Sequence, residues 1–225
     1  MTAFTLVHSP LVGPRTWWAV RDELGGRGHE VAVPSLTDAA ATGDHMAIVR
    51  AATRSIGPGP DRVLVGHSGA GYFLPLIADA LESPPTTLVF VDSAVPPAAG
   101  PTPLLPADLL AQIAPLAVEG VLPPWSEWFG AEAMRTLVPD AATRAALVEE
   151  MPRLPLAYFE PPLTMPSGWH AIDCRYLLLS AAYTDDAREA TRLGWPSREH
   201  ASHHLAIVTD ARGVTDALLA LAWSK

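Results

Sequence analysis

Ser68, a set of histidines and a few aspartates are the residues whose types can carry covalent chemistry here. Ser68 stands in Arg62-Val63-Leu64-Val65-Gly66-His67-Ser68-Gly69-Ala70-Gly71, where an aliphatic run breaks off in small residues. A helix-like segment, Tyr72 to Leu81, follows. A strand, a sharp turn and a helix push the serine hydroxyl out above the end of a sheet. The Gly69 amide, at the helix start, points where an oxyanion would sit. A plain glycine-rich turn or a phosphate-binding loop has the same outline, and Ala70 stands where Gly-x-Ser-x-Gly has its last glycine.

A serine hydroxyl needs a base to take its proton as it attacks. His204 is the candidate, with its neighbour His203 as rival, because adjacent side chains point in different directions. His200, His203 and His204 also cluster as zinc ligands do, but without evident carboxylate support, so the expectation is no metal and no cofactor. His8 and His67 read as structural, hydrogen-bonding around turns. A base in turn needs an orienting partner. The chain has no asparagine, which leaves Asp, Glu or Gln. Asp92, at the end of the strand after the Ser68 turn, is the first choice, and Asp186 and Asp185 are the alternatives.

Composition narrows the field. At 225 residues and 49% hydrophobic, the chain makes one large domain with ample core, or a domain carrying an insertion. A formal charge of −9 argues against nucleic acid and anionic membrane as partners. Lys225 is the single lysine, which excludes a Schiff-base lysine, a P-loop and a Ser–Lys pair. Cys174 is the single cysteine and reads as a buried thiol. No basic leader precedes an apolar stretch and no run reaches membrane-spanning length, so a cytoplasmic protein acting on a small molecule is expected.

The elements that must position these residues alternate. Strands are predicted at 4–7, 29–33, 62–65, 86–91 and 174–179, with a last short one at 199–201. Helices are predicted at 15–27, 44–56, 72–81, 186–193 and 210–223. Such alternation gives an α/β fold, a mostly parallel sheet with helices on both faces, whose sites lie at the carboxyl ends of the strands. Ser9, Ser68, Asp92 and His204 all fall at such ends. Residues 95–168 differ in character, holding 14 of the 23 prolines, with broken helical patterns at 107–118, 127–137 and 141–151. They read as a helical lid inserted into a core made of residues 1–94 and 169–225. Trp125, Trp128 and Tyr158 are its candidate substrate contacts.

With these residues in place, the chain resembles the α/β-hydrolase superfamily along nearly its whole length. The opening Leu6-Val7-His8-Ser9-Pro10 through Gly13 and Trp17 to Gly28-His29-Glu30-Val31 is similar to the compact methyl esterase and hydroxynitrile lyase-like subgroup. The order Ser68 then His204 matches the family's. The resemblance implies a triad and an oxyanion hole at the Ser9 and Gly69 loops. It also exposes two departures. Tyr183 stands where most of the family carries the acid, and Asp92 occupies a site that some members use instead. Pro10 stands where the family's loop donor usually is, and proline has no N–H. One lost donor costs about 3–4 kcal/mol of transition-state stabilisation. Leu11 N–H or the Ser9 hydroxyl would have to replace it, or the reaction does without. Three readings stay open: a serine hydrolase of a small apolar ester, thioester or lactone; a lyase, cyclase or decarboxylase using the Ser–His pair for acid–base chemistry; and a non-catalytic ligand-binding module.

Overall fold

The structure, a computed structural model, describes residues 2–57, 59 and 61–222. Eight strands and ten α-helices follow one another in these residues. They are β1 (Ala3–Val7), α1 (Trp18–Gly26), β2 (Glu30–Ala32), α2 (Thr37–Ala41), α3 (His45–Thr53), β3 (Arg62–His67), α4 (Leu74–Asp79), β4 (Thr87–Val91), β5 (Gly100–Thr102), α5 (Ala107–Ile113), α6 (Ala131–Leu137), α7 (Ala141–Glu150), β6 (Leu163–Met165), β7 (Asp173–Leu178), α8 (Thr184–Arg192), β8 (Ser197–Glu199), α9 (Ala206–Thr209) and α10 (Ala211–Ala222). Six strands form one parallel sheet in the order β2-β1-β3-β4-β7-β8.

Period-two side chains divide the sheet between two cores. Val63 and Val65 of β3, Val89 and Val91 of β4 and Leu177 of β7 pack with Val20 and Leu24 of α1 and Val214 and Leu218 of α10. Their strand neighbours Leu64, Leu88, Phe90 and Tyr176 face the other way, onto Ile48 of α3 and Leu74 and Ile77 of α4. This two-sided covering is why the central strands are continuously apolar rather than alternating. Asp44 caps α3 by accepting from Met46 N at 2.8 Å.

Helix α1 starts later than the periodicity suggests, because Pro14–Trp17 forms a 3-10 turn first. Likewise Ser68–Phe73 is a 3-10 turn before α4 begins. The last strand lies at 197–199 rather than 199–201. The predicted end of the last helix at Trp223 lies outside the described residues. Between β4 and β7 the broken helical patterns become α5, α6 and α7, and β5 pairs antiparallel with β6 to close the segment at its base. No helix among the described residues is long and apolar enough to cross a membrane. Cys174 is buried, and burial pushes its thiol up to about 12.

Candidate active site

Ser68 follows β3 with φ 58°. A non-glycine residue in that left-handed region is strained by about 1–3 kcal/mol and persists only where its surroundings enforce it. Close approach enforces it here. A Cβ on Gly71 would lie 2.6 Å from Ser93 Oγ and 2.7 Å from the Ala94 carbonyl. A Cβ on Gly69 would lie 3.2 Å from Ser9 Oγ, so the β1 loop rests directly on the turn.

Asp92 also has a positive φ, 43°, and its side chain is fully buried. Its Oδ1 accepts from Leu179 N at 2.9 Å and Ser180 N at 2.8 Å. Its Oδ2 accepts from Ser180 Oγ at 2.6 Å and pairs with His204 Nδ1 at 2.7 Å. Burial works against the charge of Asp92, but the hydrogen bonds from His204 and Ser180 outweigh it and hold the carboxyl below its ordinary range. An ionised carboxylate only accepts, so His204 carries its proton on Nδ1 and leaves Nε2 bare. The imidazole is wedged between rings. Tyr183 stacks on it at 5.2 Å and 15°, and His67 lies at 4.4 Å on a tilted plane.

His67 is a support. Its Nε2 donates to the His204 carbonyl at 2.8 Å. Burial and the charge of His204 lower its pKa to about 3, so it stays neutral. His8 donates from Nδ1 to the Ser9 carbonyl at 2.8 Å and accepts Leu36 N at 3.0 Å through Nε2. Burial lowers it to about 4. In the β1 loop, Val12 N donates to the Ser9 carbonyl at 3.1 Å, closing a turn with Pro10 inside it. Leu11 N donates to Ser9 Oγ at 3.3 Å. The Leu11 amide is therefore spent on Ser9, while the Ser9 hydroxyl proton remains available to donate beside Gly69.

These groups open onto a cavity of about 650 Å³, within the range of small-molecule sites. Ser9, Leu11, Ser68, Gly69 and His204 line it on the sheet side, and Trp125, Trp128 and Tyr158 from the segment between β4 and β7. Trp125 lies 6.3 Å from the His204 ring. Trp128 is also part of the core, donating its indole N–H to the Pro123 carbonyl at 2.9 Å. Tyr158 is buried, and burial raises its phenol.

The other candidates lie apart from the Asp92–His204 pair. Asp185 is exposed on α8 and pairs with Arg188 at 2.6 Å, which corrects its placing as an alternative acid. Asp186 is also on α8, where its Oδ1 accepts Val95 N at 2.9 Å. It lines the cavity without bonding His204, a second correction. Burial raises its carboxyl. His203 bonds Thr209 at 3.0 Å and His200 pairs with Asp210 at 2.8 Å, so the three clustered histidines take three separate partners.

One contact has no counterpart in the sequence reading. Ser68 Oγ and the Tyr183 hydroxyl are 3.3 Å apart. Sequence reasoning set Tyr183 aside because it is not a carboxylate. The available signal was a phenol at a position facing both serine and histidine.

Models of protein families give no match to the sequence, and neither do curated proteins. Solved structures do. An extracellular α/β-hydrolase from a Paenibacillus species, described as sharing structural and functional homology with tobacco salicylic acid binding protein 2, is 18% identical, with a TM-score of 0.79 over 98% of this chain and 99% of that one. Polyneuridine aldehyde esterase is 17% identical, with a TM-score of 0.70 over 99% of each chain. A variant of tomato methylketone synthase I, complexed with β-ketoheptanoate, is 14% identical, with a TM-score of 0.68 over 98% of this chain and 97% of that one. With its parallel sheet, its Ser68 turn and these neighbours, the chain has the α/β-hydrolase fold.

Proposed function

We propose that the protein is a serine hydrolase that cleaves an ester, thioester or lactone of a small, mostly apolar molecule. The observation that carries this reading is the 2.7 Å contact of buried Asp92 with His204 Nδ1, beneath a cavity that both Ser68 and His204 line. Asp92 fixes the tautomer, and His204 Nε2 takes the Ser68 proton as Oγ bonds to the substrate carbonyl carbon. The carbonyl electron pair moves onto oxygen, where Gly69 N–H and the Ser9 hydroxyl donate to it. Collapse expels the alcohol or thiol, which leaves with the proton from Nε2. Water then repeats the sequence against the acyl-serine. In this reading Ser9 supplies through its side chain the donor that Pro10 lacks. Residues 95–168 act as the lid, with Trp125, Trp128 and Tyr158 contacting the apolar part of the substrate.

The test is intact mass after incubation with a fluorophosphonate, on wild type, Ser68→Ala and His204→Ala. One adduct on wild type, absent from both variants, supports the reading. A folded wild type without an adduct sinks it.

Pro10 favours a second reading. With one backbone donor missing, the Ser68–His204 pair would run acid–base chemistry without an acyl-enzyme, as in a lyase or decarboxylase. That one neighbour in fold is a methylketone synthase is consistent with it. Turnover of a non-hydrolytic substrate by a wild type that takes no fluorophosphonate, lost in both Ser68→Ala and His204→Ala, would favour it.

A further inference from the structure

We infer that Tyr183 is a catalytic residue of this centre, its phenol holding Ser68 Oγ at rest and donating to the same oxygen as Ser68 is expelled from the acyl-enzyme. The inference rests on the hydrolase reading and adds a residue and a step to it. Three observations support it. The Tyr183 hydroxyl lies 3.3 Å from Ser68 Oγ, which among the described residues is the hydrogen-bond contact of that oxygen. The Tyr183 ring stacks on His204 at 5.2 Å, so one side chain touches both the oxygen and the imidazole. Burial pushes the phenol up to about 12, which keeps it protonated, and so a donor, at neutral pH.

At 3.3 Å either hydroxyl can donate, and the hydrolase reading selects Tyr183 as the donor. His204 Nδ1 holds its proton against Asp92, so Nε2 accepts. In the hydrolase reading Ser68 passes its proton there as it attacks. The remaining lone pair of Oγ is then free to accept from Tyr183, which has no other role at the serine.

The bond does not help both half-reactions alike. A hydrogen bond accelerates a step only if it is stronger in the transition state than before it. Attack passes through the same charged Oγ, but in free enzyme that oxygen starts as a hydroxyl, already a good acceptor, so attack gains less. In the acyl-enzyme Oγ is an ester oxygen, a poor acceptor. Water adds to the acyl carbon, one of its protons goes to His204 Nε2, and the carbonyl electron pair moves onto oxygen. That pair then re-forms C=O, the C–Oγ bond breaks with its electrons on Oγ, and the Nε2 proton passes to Oγ. Within deacylation, charge builds on Oγ only in this last step, and there the hydrogen bond from Tyr183 strengthens while the phenol keeps its own proton. The stacked ring also faces the imidazolium that both half-reactions create.

The experiment follows p-nitrophenyl acetate in stopped flow and by intact mass, on wild type, Tyr183→Phe and Tyr183→Leu. Tyr183→Phe removes only the hydroxyl. Its first turnover should stay within about threefold of wild type, while steady-state turnover falls roughly tenfold to a hundredfold. Acetyl-Ser68 should then be the dominant species in the mass spectrum. Tyr183→Leu removes the ring as well and should slow the first turnover too. If Tyr183→Phe slows both phases equally, or neither, with no acetyl adduct, the inference is overturned and the hydrolase reading stands. If wild type forms no fluorophosphonate adduct and releases no p-nitrophenolate, the hydrolase reading fails and the inference falls with it.

Discussion

Asp92→Asn is the sharpest probe of the site, because all four groups around this carboxylate are donors. Two are backbone amides, Leu179 N and Ser180 N on Oδ1, and these are unable to change role. The amide oxygen of the substituted side chain must therefore stay where Oδ1 is. Its NH2 then faces Ser180 Oγ, which rotates to accept, and His204 Nδ1, which accepts only by giving up its proton. The imidazole proton moves to Nε2 and the base is lost while the shape of the site is kept. Reversal of this tautomer in a Ser-His-Asp triad costs about 10⁴-fold in kcat, or about 5.5 kcal/mol at 1.36 kcal/mol per tenfold. The assay is kcat/KM on an activated ester beside the rate of fluorophosphonate labelling, with a thermal melt to show that the variant folds. Both rates should fall by at least 10³-fold. Asp185→Asn, which alters only an exposed pair with Arg188, should leave them unchanged. A folded Asp92→Asn that keeps a tenth or more of its activity would refute the orienting role and the proton count behind it.

Other expectations follow from neighbouring features. Ser9→Ala should lower kcat by about 10²–10³-fold with little change in KM, as loss of one oxyanion donor does; a change of less than threefold would mean that the hole is built without it. Gly71→Ala would place a Cβ 2.7 Å from the Ala94 carbonyl, and this overpacking should destabilise the fold by about 1–3 kcal/mol, read as a lower denaturant midpoint at unchanged slope. His8, lowered to about 4 by burial, makes stability depend on pH. The unfolded chain binds this proton below about 6.5 and the folded one only near 4. The contribution is thus complete above pH 6.5, erodes as pH falls, and amounts to about 3 kcal/mol in all. His67 acts in the same direction, so urea midpoints should drop between pH 7 and pH 4, and a flat profile would contradict the buried neutral state of both histidines.

The sheet was legible because two-sided burial writes itself into β3, β4 and β7 as unbroken aliphatic runs. The Ser68 turn was legible because close approach demands small residues at 69 and 71, leaving a trace that needs no tertiary information. Asp92 and His204 could be named as strand-end residues and paired as the first choice, but only the fold brings together two positions 112 apart. Asp185 and Asp186 stayed open as alternatives because they lie just beyond the position where the family's acid usually stands. Helix α8, predicted from 186, begins at Thr184 and so holds both residues, turning one outward and the other into the cavity. The β5–β6 pairing escaped notice for a similar reason. Each strand is only three residues long, and β5 is Gly100-Pro101-Thr102, so the partner rather than propensity makes it a strand.

The positive φ of Ser68 has an evolutionary corollary. A glycine at 68 would relax that backbone and, by removing the nucleophile, end any acyl transfer, yet leave the cavity walls as they are. Descent from enzyme to inert carrier thus runs downhill in conformational energy. In the hydrolase reading, retention of the strained serine reflects selection on turnover, and lineages released from that selection would drift toward a steadier pocket that binds and does not cleave.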